Sequence, residues 1–305
     1  MQQKDQKTRV LFPIGAKLVV IISILLLVSL GAVIFLVLIL STQDVQRTAE
    51  DNNFSVNYRA GFQAESSFKS ILSASLLYLE MAERVSAEQE RDTEIERFFF
   101  DHNRSMAAIA LDSVFLNSQD STESQSFLIP NEQFLLSNNI GIDNIENYFN
   151  SDLAASGDRM QFYNASPFFQ LSLITAVFIR QGPDKTDTVK VLFTPDELSE
   201  SFGTGTNTSY IISGSGDILL HPDNDLVLGG ANFSSLPIVA AIQQEGDKNR
   251  RQISFSDAAG IKYFGAYYRL AGMDAAVITT IPHDIVFEAV QGITRQNLYL
   301  TAGVL

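Results

Sequence analysis

The sequence predicts an α+β fold in which a membrane-spanning helix and a long amphipathic helix precede two modules of strands and short helices. Three observations support this prediction. An apolar run occupies residues 18–40, and a second apolar run begins at residue 298. Between the two runs, helical spacing of apolar residues gives way near residue 100 to short apolar segments separated by turn residues. We therefore expect a folded domain held between two membrane segments.

The first apolar run has the length of a membrane-spanning helix. A helix rises about 1.5 Å per residue, so the run reaches about 35 Å, whereas a hydrocarbon core is about 30 Å thick. Only Ser23, Ser29 and Gly31 interrupt it, and no charged residue does. A cleaved signal peptide would have a shorter apolar region and a small-residue cleavage site, which residues 38–43 do not offer. The run predicts an uncleaved anchor.

The charges that flank the run predict its orientation. Residues 1–17 hold four basic residues and one acidic residue, whereas Asp44, Glu50 and Asp51 follow the run against Arg47. Because positive charge is retained on the cytoplasmic side, we expect residues 1–17 inside and residues 41–297 outside the membrane.

The composition excludes several classes of function. The net charge of −14 argues against binding to nucleic acid or to anionic lipid. The chain has no cysteine, which excludes disulfides, thiolate metal sites and cysteine nucleophiles. Residues 41–297 must therefore fold around apolar cores, and they are numerous enough for two modules.

The segment after the span predicts a long amphipathic helix. Apolar residues recur at three- and four-residue steps through residues 44–91, with one longer gap. We expect one helix, or two in series, that pairs with its twin in a homodimer or covers the face of a sheet. The apolar positions are Phe54, Tyr58, Phe62, Phe68, Leu72, Leu76, Leu79 and Ala82.

The rest of the chain predicts strands, short helices and turns. Helices are expected at residues 142–155, with Asp143 as N-cap, and at residues 236–244. Loops are expected at residues 117–126 and 203–209. The predicted strands are residues 106–117, 168–180, 188–194, 210–213, 218–221, 252–256, 262–270 and 275–281.

A short internal repeat supports the prediction of two modules. Residues 191–198 and residues 278–285 each run from a strand into a proline followed by an acidic residue, a pattern typical of a helix start. The predicted segments are a cytoplasmic N-terminus (1–17), a transmembrane helix (18–40), a long helical segment (44–100), a membrane-distal module (101–203), a membrane-proximal module (204–290) and the truncated start of a second transmembrane helix (298–305).

Four segments of the second module resemble a Cache domain, the PAS-like extracytoplasmic fold of bacterial receptors. They are residues 216–223, 236–242, 260–267 and 276–282, and the resemblance to a double Cache region covers about residues 44–297. It implies a central antiparallel sheet in each module, a location at the bacterial inner membrane, and a sensor of a small-molecule ligand or of a ligand-bearing protein.

Segments near the two ends of the chain resemble a narrower group of receptor proteins. Residues 12–23, 48–54 and 287–297 resemble the start of spirochaetal receptor-type class III adenylate/guanylate cyclases. This implies a cyclase output beyond Leu305, with no catalytic domain in these residues. A chemotaxis receptor and a histidine kinase are the alternative outputs, and a membrane-anchored extracytoplasmic enzyme is an alternative of another class.

The resemblance also implies where a ligand would bind. In the amino-acid-binding subgroup an Arg precedes an aromatic pair, and an Asp follows later. Here the aromatic pair becomes Tyr148 and Phe149, whereas the Arg position holds Glu146 and the Asp position holds Leu192. The binding pattern of that subgroup therefore does not predict an α-amino acid ligand here.

Two further residues complete the predicted ligand-binding set of Tyr148, Phe149, Arg159 and Tyr163. Arg180 is a third polar group nearby, and a guanidinium can hold a carboxylate through two parallel hydrogen bonds. The alternative is that Arg159 lies in a solvated loop and Tyr163 is a half-buried strand residue. The aromatic residues Phe162, Tyr163, Phe168 and Phe169 are interpreted as core rather than as the lining of a pocket.

The sequence predicts neither metal nor cofactor nor catalytic residues. His221, in a His-Pro-Asp sequence, is far from His102 and His283, and we expect it to fix a turn. No Gly-rich phosphate loop and no nucleophile elbow occurs.

Overall fold

The structure is a computed structural model that describes residues 14–86, 93–115, 124–151, 153–155, 158–182, 185–202, 205–244 and 250–288. The chain divides into two compact units. The first holds the described residues up to Ala49 and from Val286, and the second is Glu50–Ile285. The predicted second span, residues 298–305, lies outside the described residues.

The long N-terminal helix α1 covers Ile14–Ser86. The predicted span and the amphipathic helix expected to continue from it are one helix. In its first part the apolar side chains are exposed, and a window of 18 residues has a mean hydropathy of 3.1, which suits a membrane span by length and composition. From Glu50 onward α1 buries one apolar face, which includes Phe68, Tyr78 and Leu79.

Short helices and strands follow α1 among the described residues of the second unit. The helices are α2 (Thr93–His102), α3 (Glu132–Ser137), α4 (Ile142–Phe149), α5 (Ser166–Phe169), α6 (Asp196–Phe202), α7 (Asn224–Leu228) and α8 (Pro237–Gln244). The strands are β1 (Met106–Phe115), β2 (Ser124–Pro130), β3 (Met160–Asn164), β4 (Ile174–Gln181), β5 (Lys185–Phe193), β6 (Thr208–Ser213), β7 (Ile218–Leu220), β8 (Arg250–Ser256), β9 (Lys262–Arg269) and β10 (Met273–Pro282).

The strands form a large sheet in two antiparallel parts. The first sheet has the order β2-β1-β5-β4-β3, and the second has the order β7-β6-β10-β9-β8. They join where β10 pairs in parallel with β3, Met273 with Met160 and Asp274 with Gln161. The predicted α+β class with antiparallel sheets is therefore confirmed.

Several predicted boundaries were wrong for local reasons. Helix α4 ends at Phe149 rather than at residue 155, and its N-cap is Gly141, with Asp143 in the first turn. The strand predicted at residues 168–180 begins only at Ile174, because residues 166–169 form α5: Ser166-Pro167 suits a helix start, and Gln170 has a left-handed φ of 53° that ends the helix. Residues 124–126, predicted as loop, belong to β2.

Three apolar clusters are formed by the described residues of the second unit. On one face of the first sheet, Phe68 of α1 packs against Phe162 and Phe193. The opposite face of that sheet is covered by residues of α3 and α4, such as Leu135 and Ile145. The third cluster lies between the second sheet and α8, and its members are Tyr210, Ile212, Ile238, Val239, Phe255, Tyr267, Ala276 and Ile278.

Candidate functional site

The face of the first sheet that points away from α1 is covered by α3 and α4, and it is named the covered face. It carries a small set of polar side chains. Because side chains alternate along a strand, residues next to the apolar α1-facing positions point to this covered face. Tyr163 of β3 lies opposite Thr175 of β4, and Lys190 of β5 lies opposite Ala110 of β1. The chain thereby brings polar groups from several strands under α4.

Aromatic rings from α4 and α5 pack over these groups. The ring of Tyr148 lies 5.3 Å from that of Phe168 and 5.1 Å from that of Phe169, centroid to centroid. The Thr175 hydroxyl donates to the Tyr148 hydroxyl at 3.0 Å. Burial raises the pKa of Tyr148 to about 12, although the hydrogen bond from Thr175 acts in the other direction. Tyr148 therefore stays a neutral phenol and keeps its own proton to donate.

A buried lysine lies next to these rings. Lys190 is 8% exposed, and its ammonium donates to the Phe149 carbonyl oxygen at 2.7 Å. It also forms an ion pair with an Asp112 carboxylate oxygen at 2.8 Å. An ammonium has three N–H donors, so two partners leave one donor for another acceptor. Lys190 was not among the predicted ligand-binding residues, although it is the one charged residue within the strand predicted at residues 188–194.

Asp112 is held as a carboxylate. The Ser126 hydroxyl donates to its other oxygen at 2.6 Å. Burial alone would raise the pKa of Asp112, but the hydrogen bonds from Lys190 and Ser126 more than offset it, so the pKa lies below its usual value. The ammonium of Lys190 is therefore matched by a charge at the edge of the site.

Three of the four predicted ligand-binding residues come together on this face. Tyr148 and Phe149 are buried in the apolar cluster, and the Tyr163 hydroxyl donates to the Ala154 carbonyl at 2.6 Å. Arg159 is exposed and lies apart from them. It lines a cleft of about 380 Å³ whose other residues are 213–214, 242–243 and 269–276.

Two neighbouring candidates lie on the opposite face of the first sheet. Phe162 stacks on Phe68 of α1, so it belongs to the core rather than to the covered face. Arg180 binds the buried carboxylate of Asp187. Both assignments follow from strand alternation, which sends neighbouring residues to opposite faces.

The histidine singled out in the sequence holds a turn. The Nδ1 atom of His221 accepts a hydrogen bond from the backbone N–H of Asp223 at 2.9 Å. Burial lowers the pKa of His221, although its contacts with Asp223 act in the other direction. Within the described part of the chain, no group of three His, Cys, Asp or Glu side chains could hold a metal ion.

Comparison with known proteins gives the fold. No family model matches the sequence, and no curated protein matches it. The structure is similar to the extracellular domain of soHK1S-Z6, which is assigned as a histidine kinase, with a TM-score of 0.52 and 13% identity over 82% of this chain and 99% of that chain. It is also similar to the periplasmic sensory domain of the Campylobacter jejuni chemoreceptor Tlp1, with a TM-score of 0.51 and 14% identity over 80% of this chain and 98% of that chain. At such identities the similarity establishes a shared fold.

Proposed function

We propose that this chain is the sensory part of a bacterial membrane receptor. The observation that carries the proposal is the fold, which corresponds to nearly the whole length of the sensory domains of a histidine kinase and a chemoreceptor. An apolar segment long enough to cross a membrane is covalently continuous with the same domain through α1. In this proposal residues 41–297 lie outside the inner membrane, and a ligand bound there shifts an equilibrium between two receptor states.

Two Cache-type modules form the proposed sensor. The first sheet belongs to the distal module, residues 101–203, and the second sheet belongs to the proximal module, residues 204–290. The division is supported by the strand order, because the two antiparallel parts come from separate stretches of chain and share only a short parallel pairing.

We assign ligand binding to the covered face of the first sheet. Its aromatic residues Tyr148, Phe149 and Tyr163 would contact an apolar body, and the remaining N–H of Lys190 would bind an acceptor or an anionic group. A buried ammonium distinguishes strongly between ligands with and without such a group, because a mismatched charge stays unpaired. The proposed ligand is therefore a small molecule with an apolar part and a carboxylate or similar oxygen group.

An α-amino acid fits this site poorly. Glu146, at the position where the amino-acid-binding subgroup has Arg, is exposed on α4. Leu192, at the position of the subgroup's Asp, is fully buried in the apolar cluster and offers nothing to an amino group.

The output of the receptor is a finer proposal. The flanking sequences favour a class III adenylate/guanylate cyclase, whereas the shared fold supports a histidine kinase or a chemotaxis receptor equally well. The receptor would act as a homodimer, with α1 from each copy in parallel. Sequencing the gene past the codon of Leu305 tests the output directly, because a cyclase, a kinase and a chemotaxis signalling domain have different motifs.

The topology can be tested without background labelling because the chain has no cysteine. We expect Leu136→Cys, at a side chain that is 83% exposed, to react with a membrane-impermeant maleimide in intact spheroplasts. Lys7→Cys should react only after lysis. The reverse pattern would overturn the proposed orientation.

The site can be tested by a thermal-shift screen of the purified chain in detergent micelles. The probes are C2–C6 mono- and dicarboxylates, aromatic acids and L-amino acids, and unfolding is followed by circular dichroism because the chain has no tryptophan. A compound at 100 times its Kd stabilises a protein by about 2.7 kcal/mol, which is about 5–11 °C for a domain of this size.

Two variants make the screen specific. We expect the shift caused by a carboxylate to disappear in Lys190→Met and to persist in Arg159→Met, whose arginine lies outside the cluster. A shift that survives Lys190→Met but not Arg159→Met would move the site to the cleft beside the second sheet. No shift with any probe would count against carboxylate sensing.

A further inference from the structure

The face of α1 that packs on the second sheet carries polar side chains where apolar ones would be expected. Asn53 is fully buried and Asn57 is 1% exposed. One helical turn further come Gly61 and then Glu65, so the four positions follow each other at four-residue steps on one face. Burying an amide costs free energy unless it is hydrogen-bonded, so these residues need a structural reason.

Both asparagines bind the central strands of the second sheet. The Asn53 amide donates to the carbonyl oxygens of Phe264 at 3.2 Å and Thr279 at 3.1 Å. The Asn57 amide donates to the Val277 carbonyl at 3.0 Å and to the Thr279 hydroxyl at 3.2 Å. A carbonyl oxygen has two lone pairs, so these acceptors can serve the sheet and the helix at once.

Further side chains complete the network around Asn53. The Asn207 amide donates to the Asn53 side-chain oxygen at 2.7 Å. The hydroxyls of Ser209 and Thr279 lie 2.8 Å apart and share a hydrogen bond. The amide group of Asn53 therefore has partners on both its nitrogen and its oxygen, and the network ties α1 to three strands or their flanks.

The spacing of these contacts specifies one register of α1 on the sheet. Four residues of helix rise about 6 Å, and two residues of strand rise about 6.7 Å. Asn53 and Asn57 therefore match Thr279 and Val277, with α1 antiparallel to β10.

The match continues along β9. A Cβ atom at Gly61 would lie 2.4 Å from the Tyr268 ring, so only glycine permits this approach. Glu65 then accepts hydrogen bonds from the Tyr268 hydroxyl at 3.1 Å and from the Ala271 N–H at 3.3 Å.

A slip of one turn would destroy this match. It would move each α1 residue by about 6 Å, bringing Gly61 to the place of Asn57 and the carboxylate of Glu65 under the Tyr268 ring.

The contact of α1 with the first sheet is different, because Phe68 packs there on Phe162 and Phe193 at centroid distances of 4.9 and 5.6 Å. Apolar packing of this kind carries no hydrogen-bond direction and can shift by repacking.

We propose that Asn53 and Asn57 are positioning residues that lock the register of α1 on the second sheet. This makes the part of α1 from Glu50 onward and the second sheet one mechanical body. Resting on the proposed function, it follows that a ligand at the first sheet signals by changing the apolar contact around Phe68.

A disulfide reports the register directly. The position of a Gly61 Cβ is 2.7 Å from the Tyr268 Cβ, whereas disulfides have Cβ atoms about 3.5–4.5 Å apart, so a small relaxation brings a cysteine pair into range. The full chain carrying Gly61→Cys and Tyr268→Cys is oxidised with copper phenanthroline in membranes, and the rate of cross-linking is followed on non-reducing gels. A one-turn slip takes the pair out of range.

Two backgrounds test the asparagines. We expect the cross-linking rate to fall at least fivefold in Asn53→Leu/Asn57→Leu and to stay unchanged in Asn52→Leu, the same substitution at the exposed neighbouring residue. An equal rate in both backgrounds would overturn the proposal.

Circular dichroism establishes that each variant is folded. A double variant that does not fold is replaced by Asn57→Leu, for which the same two outcomes apply. An unfolded Asn57→Leu would also overturn the proposal, because a register lock should be dispensable for folding. The cross-linking result is independent of ligand binding and of membrane topology. Failure of the register lock therefore leaves the proposed sensor role standing, and failure of the sensor role leaves the register lock standing.

Discussion

Replacing Asp187 with asparagine should destabilise the second unit through a buried charge cluster on the α1-facing side of the first sheet. Asp187 of β5 is fully buried and lies directly opposite Ser113 of β1 and Arg180 of β4. The Ser113 hydroxyl donates to it at 2.6 Å, and the Arg180 guanidinium donates at 3.1 and 2.5 Å. Lys185 lies 3.5 Å away. Asparagine keeps the shape of the side chain and removes its charge.

The expected loss is about 2–3 kcal/mol, because charge-assisted hydrogen bonds are worth about 1.5–3 kcal/mol each and the guanidinium loses its counter-charge. The Arg180 side chain is 21% exposed, so water recovers part of the loss. At about 2–4 °C per kcal/mol, the midpoint of thermal unfolding should fall by about 4–12 °C. Circular dichroism of the full chain in micelles measures it, with the exposed Asp158→Asn as a matched control.

The pH dependence gives a second test. Burial would raise the pKa of Asp187, but the hydrogen bonds from Ser113 and Arg180 and the charge of Lys185 more than offset it, so the pKa in the folded chain lies below its usual value. A carboxyl with a depressed pKa stabilises the folded state above its unfolded pKa of about 3.9 and ceases to do so as the pH falls through the folded pKa. The gap between wild type and Asp187→Asn should be constant from about pH 8 to 5 and narrow below about pH 4. A loss in free energy of unfolding under about 0.5 kcal/mol would refute this account of the cluster. A difference between wild type and Asp187→Asn that stays the same below about pH 4 would refute it as well.

Three further substitutions have clear expectations. Gly61→Ala should destabilise the chain in thermal unfolding, although alanine gains about 1 kcal/mol over glycine in a helix, because the added Cβ would meet the Tyr268 ring at 2.4 Å. Tyr148→Phe should remove one phenol with a pKa of about 12 from the titration followed by ultraviolet absorbance. It should also lower the free energy of unfolding by about 1 kcal/mol, because the hydrogen bond with Thr175 is lost. Phe68→Ala should cost about 3–5 kcal/mol in denaturant unfolding, since its side chain is 2% exposed between two aromatic rings.

Matched variants separate these effects from general sensitivity. Ser66→Ala, on the exposed side of α1, should be neutral or slightly stabilising, and Phe62→Ala, at a 62% exposed side chain, should be near neutral. Thr175→Val should leave the Tyr148 phenol present and change only the pH at which it titrates. A Gly61→Ala variant as stable as Ser66→Ala, a Phe68→Ala variant as stable as Phe62→Ala, or a Tyr148→Phe variant as stable as the wild type would contradict the respective contact.

The sequence predicted most elements of the second sheet because their signals are local. Strands predicted at residues 252–256, 262–270 and 275–281 appear as β8, β9 and β10 with ends shifted by a few residues. Short turns with glycine or aspartate separate them, and their apolar content is high. Strand β3 was missed, since Met160–Asn164 is short and its place depends on pairing with β4 and β10.

The sequence could not show which of the predicted ligand-binding residues lie together. Tyr148 and Phe149, taken from the resemblance, share one apolar cluster, whereas Arg159 lines another cleft. Lys190, which contacts Phe149, was not among the predicted residues. A residue's face on a strand follows from its register, and the register depends on which distant strands pair. A sequence pattern reports neither.

By itself the sequence determined the order and kind of the elements, the apolar span and its charged flanks, because hydrophobic periodicity and charge are properties of neighbouring residues. Only the tertiary structure decided that Lys190 meets Asp112 and that Asn53 and Asn57 bind the backbone of the second sheet. The physical reason is that a buried polar group is tolerable only where distant chain segments supply its hydrogen bonds, and packing of the whole fold decides which segments do.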